Sequence, residues 1–186
     1  MKKVLVLFAA FVLLTLNQAF AYRASDFSSD AKIISAINLL EQSGETDVLK
    51  RLQRYGVRVS FNDLSSYTYN SSKAFAVSTY NNYGTRIIVI NSIYKDAPVE
   101  QIACLIAHES CHTKRVADLE EETIATQKEA ATWIRLRNNS TYYPDTRLTK
   151  RLNKLGDLYL ASSNGNNLVQ QKIASSGFYR NQLGIN

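Results

Sequence analysis

Residues 99–112 read VEQIACLIAHESCH, and this segment decides how the rest of the chain is interpreted. Its first part is apolar on nearly all sides, which predicts a buried helix. Its last part contains His108 and His112, the only two histidines in the chain. Because residues i and i+4 of an α-helix lie on the same face, both imidazoles are expected to point in one direction. A buried helix must satisfy such polar groups, and a shared metal ion would do so.

The pattern His-Glu-x-x-His has a specific chemical use. His108 and His112 can both bind one zinc ion at about 2.0–2.1 Å. Glu109 lies about 100° further around the helix, where it can polarise a water at the metal without being a ligand. This is the arrangement of the HExxH motif of zinc peptidases. The alternative is a chance match on a solvated surface, which the apolar residues before the motif argue against.

A catalytic zinc site needs a third protein ligand and a position for water. No histidine remains, so a carboxylate or a cysteine must supply it. Three consecutive glutamates follow at 120–122, and Asp118 and Glu121 have the spacing of a capping box, which gives Glu121 a structural role. Glu122 is therefore the favoured third ligand and Glu121 the alternative. The helix dipole also favours acidic residues in a first turn, which would explain one or two of these glutamates without a metal.

The two cysteines, Cys104 and Cys111, are seven residues apart. On one helix their Cα atoms would be about 10.5 Å apart, and a disulfide tolerates about 7 Å at most. We therefore expect both to be free. A thiolate as an extra metal ligand is possible, but a buried small hydrophobic residue is the favoured interpretation. Nucleophilic cysteine chemistry is disfavoured because no third histidine remains to act as its base.

The N-terminus has the features of a secretory signal peptide. Lys2 and Lys3 precede an apolar stretch at 4–16, and Ala19-Phe20-Ala21 is an A-x-A cleavage site. The sequence thus predicts a signal peptide at 1–21, a single domain at 22–186, and a secreted or periplasmic protein. A retained anchor is the alternative, but the apolar stretch is shorter than the roughly 20 residues that span a membrane. We expect no stable membrane association after cleavage.

The charge of the mature chain is modest. Residues 22–186 contain 20 basic and 16 acidic side chains, a formal charge of +4 instead of +6. The basic residues are scattered, with small clusters at 114–115 and 147–154, and no stripe of aromatic and arginine side chains indicates a nucleic-acid partner. The usual interpretation is a solvated surface, although an acidic cell-surface polymer could be attracted.

The predicted fold class is α+β. We expect a small antiparallel β-sheet with edge strand 86–91, packed on an active-site helix 97–114 and further helices. Asn81 to Gly84 is a hairpin turn signal between the last two strands. Asp96 is expected to cap the active-site helix, and Asp145 a later one. Strands are expected at 57–61, 74–80 and 86–91, and helices at 29–42, 46–55, 97–114, 118–137, from Asp145 onward, and at 167–176.

Over residues 74–133 the sequence resembles the zincin metallopeptidases, in particular the glutamate-zincin branch. The resemblance implies that residues 22–186 form a single zincin-like metallopeptidase domain, and that the protein is a compact, secreted member of bacterial type. The resemblance rests on the strand RIIVIN, the helix with LIAHESCH and the helix EEETIATQKEAATW. In that family an extended peptide substrate lies along the strand before the HExxH helix. The third ligand comes from a following helix, often in an E-x-x-A-D pattern. Here Glu122 begins that pattern, and Thr126 stands where some members have aspartate.

The resulting functional prediction is a zinc-dependent metallopeptidase acting on a peptide or protein substrate. One Zn²⁺ per chain would be held by His108, His112 and Glu122, with Glu109 as general base. The tetrahedral oxyanion needs a further donor, for which Tyr142 or Tyr143 is the best candidate. Two alternatives remain open: a non-catalytic secreted zinc-containing binding protein, and a zinc amidase acting on cell-wall crosslinks.

Overall fold

The computed structural model describes residues 22–67, 74–114, 116–138, 141–162 and 167–184. The predicted signal peptide lies outside these ranges and stays a prediction. Within the ranges, no helix combines the length and apolar character that crossing a membrane requires.

Helices dominate the described part of the chain, and the predicted α+β class is confirmed. The strands are β1 Arg58–Asn62, β2 Ala76–Tyr80 and β3 Arg86–Asn91. The helices are α1 Ala31–Gln42, α2 Thr46–Arg54, α3 Val99–Ser110, α4 Leu119–Leu136, α5 Arg147–Ala161, α6 Leu168–Ser175 and α7 Gly177–Leu183. The last of these is a separate helix that the sequence analysis did not predict.

Two expectations about the sheet are wrong. The described strands have the order β1-β3-β2, with β1 parallel and β2 antiparallel to β3, so the sheet is mixed and strand 86–91 is central. The physical reason is burial: Ile88, Val89 and Ile90 are almost fully buried, whereas β2 is only partly buried. An apolar run without alternation is typical of a strand covered on both faces. Among the described strands, β2 therefore forms one edge of the sheet and β1 forms the other.

The predicted hairpin turn between β2 and β3 is confirmed. The side chain of Asn81 accepts hydrogen bonds from the backbone amides of Tyr83 and Thr85, both at 2.9 Å. Gly84 has a φ of +75°, a conformation that side chains with a Cβ rarely adopt.

Helix α3, for which the sequence predicted the bounds 97–114, is shorter than expected. Helix α3 begins after Pro98, with Pro98 and not Asp96 at the N-cap, and it ends at Ser110. Cys111 still has right-handed helical angles, φ −77° and ψ −25°, so His112 follows the helix at nearly the position that a further turn would give it. The expected placement of His112 near His108 therefore survives the earlier end of the helix.

The core forms around α3, which has no exposed residue from 101 to 110. Helices α1 and α4 pack against it, and the sheet lies on a further side. Fully buried large side chains of this core are Ile33, Ile37, Leu40, Leu49, Leu52, Ile88, Ile90, Ile102, Ile106, Trp133 and Leu148. Cys104 is buried within it, and both cysteines are free as predicted.

A buried arginine connects the sheet to the end of α3. Nη2 of Arg86 donates to the carbonyls of Glu109, at 3.0 Å, and Ser110, at 3.4 Å. Its Nε donates to Oγ of Ser78 at 3.1 Å, so β2, β3 and α3 share one side chain. The last carbonyls of a helix have no partner within it, and a cation there also complements the helix dipole. Arg86 thus fixes the end of α3 that carries the histidines.

Arg86→Met is expected to lower the free energy of unfolding of the metal-free protein by about 1.5–3 kcal/mol, because hydrogen bonds to a charged group are lost. Urea denaturation measures this. Arg54→Met is the control: Arg54 is exposed and lies over the Tyr55 ring at 5.6 Å, and its loss should cost less than about 1 kcal/mol. Equal losses in both variants would contradict the role given to Arg86.

Candidate metal centre

Three side chains converge where α3 ends and α4 begins. Nε2 of His108 lies 3.2 Å from Nε2 of His112. The two carboxylate oxygens of Glu122 lie 3.5 Å from Nε2 of His108 and 3.6 Å from Nε2 of His112. His108 and Glu122 are buried, and His112 is nearly so. The sequence-predicted ligands are therefore brought together, with Glu122 in the first turn of α4.

These separations suit a metal ion. Four ligands at about 2.0–2.1 Å in tetrahedral geometry are separated from one another by about 3.4 Å. The observed distances, 3.2, 3.5 and 3.6 Å, bracket that value. Either a proton on one of the two nitrogens or a shared metal ion can lie between them at this distance. The group of His108, His112 and Glu122 could thus hold a metal ion, and two histidines with one glutamate is a donor set of catalytic zinc sites.

Glu121, the alternative ligand, has a different position. Its Oε1 accepts hydrogen bonds from the Thr113 amide at 2.8 Å, the Thr113 hydroxyl at 2.9 Å and the Lys114 amide at 3.1 Å. Its Oε2 lies 3.5 Å from Nδ1 of His112, on the far side of that ring from the cluster. Burial alone would raise the pKa of Glu121. The hydrogen bonds from Thr113 and Lys114 lower this pKa by more than burial raises it, so it lies below its usual range. Glu121 supports His112 and the turn after α3.

The expected capping box is only half present. The side chain of Asp118 accepts a hydrogen bond from the amide of Glu121 at 2.9 Å and caps α4 as predicted. The side chain of Glu121 does not complete the box, because its Oε1 is occupied by Thr113 and Lys114.

Sequence analysis missed a carboxylate behind His108. Oε2 of Glu129 lies 3.1 Å from Nδ1 of His108, and the residue is fully buried. Arg151 from α5 binds the same carboxylate through two nitrogens, Nε at 3.1 Å and Nη2 at 2.7 Å. Burial raises the pKa of Glu129, but Arg151 and His108 lower it more, to about 2. Carboxylates in this position fix the orientation of metal-binding imidazoles, so that Nε2 of His108 faces the cluster.

A signal for Glu129 is present in the sequence. Glu122, Thr126 and Glu129 have the spacing i, i+4, i+7, so they share one face of α4. Thr126 takes no part in supporting a histidine. Its hydroxyl instead donates to Oε1 of Glu122 at 3.3 Å, while the supporting carboxylate comes one turn later.

The electrostatic environment of the cluster favours a cation. Burial lowers the pKa of His108, but Glu122, Glu129 and Glu109 raise it more, to about 9. Glu109 is buried as well, and burial raises the pKa of its carboxyl above the usual range. Glu109 is not part of the ligand group formed by His108, His112 and Glu122.

The cluster opens into a cavity of about 790 Å³. His108, Glu109, His112 and Glu122 line it together with residues 74–79 of the edge strand region and residues of α5, α6 and α7. Tyr142 and Tyr143, the predicted oxyanion donors, do not line it. Tyr142 is exposed to solvent, and Tyr143 packs against Trp133 with its hydroxyl on the amide of Asn138.

Tyr179 lines the cavity instead. Its hydroxyl accepts a hydrogen bond from Nη1 of Arg151 at 3.2 Å. Burial, with the negative charges of Glu122 and Glu129, raises its pKa, while Arg151 lowers it, and the phenol stays protonated at neutral pH. Its helix, α7, follows a break at Ser176, where the periodicity that predicted α6 ends.

No family model matches the chain, and no curated protein or solved structure is significantly similar to it.

Glu122→Ala is expected to reduce metal affinity by at least about 10²-fold, because it removes a ligand. Glu121→Ala should have a smaller effect, since it loosens His112 without removing a donor. Zinc titration against a competing chelator measures both, with Glu120→Ala, at an exposed site in the same turn, as the control. If Glu121→Ala loses zinc and Glu122→Ala retains it, the ligand assignment is wrong.

Glu129→Gln should lower metal affinity by about 10–100-fold although Glu129 is not a ligand, because the amide supports the His108 ring less well. Melting curves recorded with excess chelator report any loss of stability separately. The matched control is Glu120→Gln, which should leave the affinity unchanged. An unchanged affinity in a folded Glu129→Gln variant would contradict the supporting role.

Proposed function

We propose that the protein is a secreted or periplasmic zinc metallopeptidase. One observation carries this proposal: Glu109, a buried carboxylate outside the ligand group, lines the same cavity as the His108, His112 and Glu122 cluster. A structural metal site needs no such group, since its ligands fill all coordination positions. A buried carboxylate beside an accessible metal centre suits a general base.

The metal ion would be held by His108, His112 and Glu122. When bound, Zn²⁺ supplies Lewis-acid polarisation of a carbonyl and makes water more acidic. Glu129 orients His108 and Glu121 orients His112. Both supporting carboxylates are themselves fixed, Glu129 by Arg151 and Glu121 by the backbone of residues 113 and 114.

Glu109 performs the proton transfers in this proposal. Its carboxylate takes a proton from the attacking water and delivers it to the nitrogen of the leaving amine when the C–N bond breaks. Its position is fixed because Arg86 binds its backbone carbonyl at 3.0 Å. Its burial raises the pKa, which makes the carboxylate a better proton acceptor than one in water.

The resemblance implied that the substrate lies along β3. In this proposal the substrate lies along β2 instead. Residues 74–79 line the cavity, and β2 pairs with β3 on one side only among the described strands. The edge of β2 that pairs with no described strand would offer backbone donors and acceptors to an extended peptide, which can add to the sheet as a further strand. This placement brings a backbone carbonyl of the peptide toward the cluster.

Tyr179 is the best-placed donor for the oxyanion. Its phenol lines the cavity, and Arg151 positions the hydroxyl. A hydrogen bond that forms as charge develops on the carbonyl oxygen lowers the barrier.

Tyr179→Phe is expected to lower kcat by about 10²-fold with little change in KM, because one oxyanion donor is lost. Steady-state kinetics on a fluorogenic peptide measure this, with the metal content of the variant checked alongside. Tyr142→Phe is the control and should retain wild-type activity. Equal activity of all three proteins would remove Tyr179 from the mechanism.

Glu109→Gln separates an enzyme from a binding protein. The amide keeps the shape of the side chain but cannot accept a proton, so hydrolysis should fall by at least about 10²-fold. Metal content should stay at one ion per chain, because Glu109 is not a ligand.

The assay uses a broad peptide library and isolated peptidoglycan, each with and without chelator. Peptide cleavage at the wild-type rate by Glu109→Gln would refute the mechanism. Cleavage of peptidoglycan alone would make the protein a zinc amidase, and no cleavage of either by the zinc-loaded wild type would favour a binding protein.

A further inference from the structure

The cavity wall that lies outside β2 is strongly basic. Six cationic side chains line the cavity: Lys114, Arg147, Lys150, Arg151, Lys154 and Lys172. Four of them, Arg147, Lys150, Arg151 and Lys154, follow the spacing i, i+3, i+4, i+7 and form what we call the basic face of α5. Like charges at this spacing repel one another and slightly destabilise a helix. A face of this kind, turned toward a cavity, needs an explanation.

The acidic residues of the cavity do not neutralise this wall. Among the described residues that line it, the acidic ones are Glu109, Glu122 and Glu129. All three are buried at the metal cluster, and Arg151 together with a divalent ion would match their charge. Apart from these three, no acidic residue among the described ones lines the cavity.

The surface partners of the wall are few. Lys150 lies 3.1 Å from Asp145 and Lys114 pairs with Asp118, and both pairs are exposed, so each contributes little. Lys154 and Lys172 are exposed and have no ion-pair partner within 4.0 Å in the described part of the chain. These two lysines are available to an anionic ligand.

An aromatic residue connects the basic face to the edge strand. Phe75, directly before β2, lies under two guanidinium groups, with Arg147 at 4.7 Å and Arg151 at 5.2 Å from its ring centre. Phe75 in turn stacks on Tyr94 at 5.2 Å. These contacts hold the start of α5 close to the beginning of β2, and both elements line the cavity, so a peptide added to β2 would have the basic face beside it.

We propose that the substrate is an acidic peptide whose carboxylate side chains pair with Lys150 and Lys154 of the basic face of α5 and with Lys172. This inference rests on the proposed function and names its substrate class. A peptide that lies on β2 presents alternate side chains to the wall, because successive residues of a strand point to opposite faces. Carboxylates at those positions meet lysines in a partly enclosed cavity, where charge pairs are screened less than on an open surface.

Direct binding tests this without hydrolysis. The probes are three fluorescent peptides of one apolar sequence, with three Glu, three Gln or three Lys at alternate positions, and the protein is zinc-loaded Glu109→Gln. Fluorescence anisotropy should give a Kd for the Glu peptide at least about 10-fold below that for the Gln peptide at low salt. The difference should shrink at 0.5 M NaCl, where charge interactions are screened within about 4–5 Å. Equal Kd values for the Glu and Gln peptides would overturn the inference.

Charge reversal identifies the surface. Lys150→Glu/Lys154→Glu should abolish the preference and favour the Lys peptide. The matched control, Lys50→Glu/Lys95→Glu, changes the net charge equally at exposed sites away from the cavity and should keep the preference for the Glu peptide. The same loss in both double variants would mean that net charge, and not this wall, selects the ligand, which contradicts the proposal.

Cleavage by the wild type separates the two proposals. If the Glu and Gln peptides are cleaved at equal kcat/KM, the proposed peptidase function is supported and the proposed preference for acidic peptides is contradicted. If the protein binds Glu peptides preferentially but cleaves none of them, the acidic ligand class is supported and the proposed peptidase function is contradicted. A sulfated polysaccharide that binds more tightly than the Glu peptide, and depends on Lys150 and Lys154 in the same way, would overturn the peptide in favour of an acidic polymer.

Discussion

The pairing of Glu129 with His108 and Arg151 is the constraint on which the site depends. A fully buried carboxylate is tolerated only where charged partners compensate for its lost hydration. Glu129 has two such partners, the imidazole at 3.1 Å and a guanidinium bound through two nitrogens. The network joins α3, α4 and α5 at one point. It therefore fixes which nitrogen of His108 faces the cluster and where α5 stands relative to it.

The remaining supports act on the same short segment from the other side. Arg86 binds the last carbonyls of α3, and Glu121 binds the turn that follows it. Both contacts act on the segment that carries His112, which lies beyond the end of the helix. Because Arg86 also binds Ser78 of β2, it connects the edge strand to the end of α3 that carries His108. In the proposed function, this connection would let the cleft orient a bound peptide with little rearrangement.

Features that depend on interactions between residues close in sequence were easier to predict than features that depend on contacts between distant elements. Helical spacing is local, so the sequence could place His108 and His112 together, and the structure brings Glu122 within reach of both. Strand 86–91 was misplaced at the edge because its second neighbour, β1, lies more than 20 residues away in sequence. Glu129 was missed because its contact with His108 depends on how α3 and α4 cross, although its i+7 spacing from Glu122 was visible. Tyr179 lies after a break in helical periodicity and contacts Arg151 from α5, which no local pattern reveals.

A crystal of the zinc-loaded chain, with anomalous scattering measured at the zinc absorption edge, tests the account most directly. It predicts one strong peak within about 2.0–2.2 Å of Nε2 of His108, Nε2 of His112 and a carboxylate oxygen of Glu122. Glu129 should still contact Nδ1 of His108, and Glu109 should face the ion without binding it. A peak held by Glu121 or by Glu109 in place of Glu122, or no peak at this cluster, would contradict it.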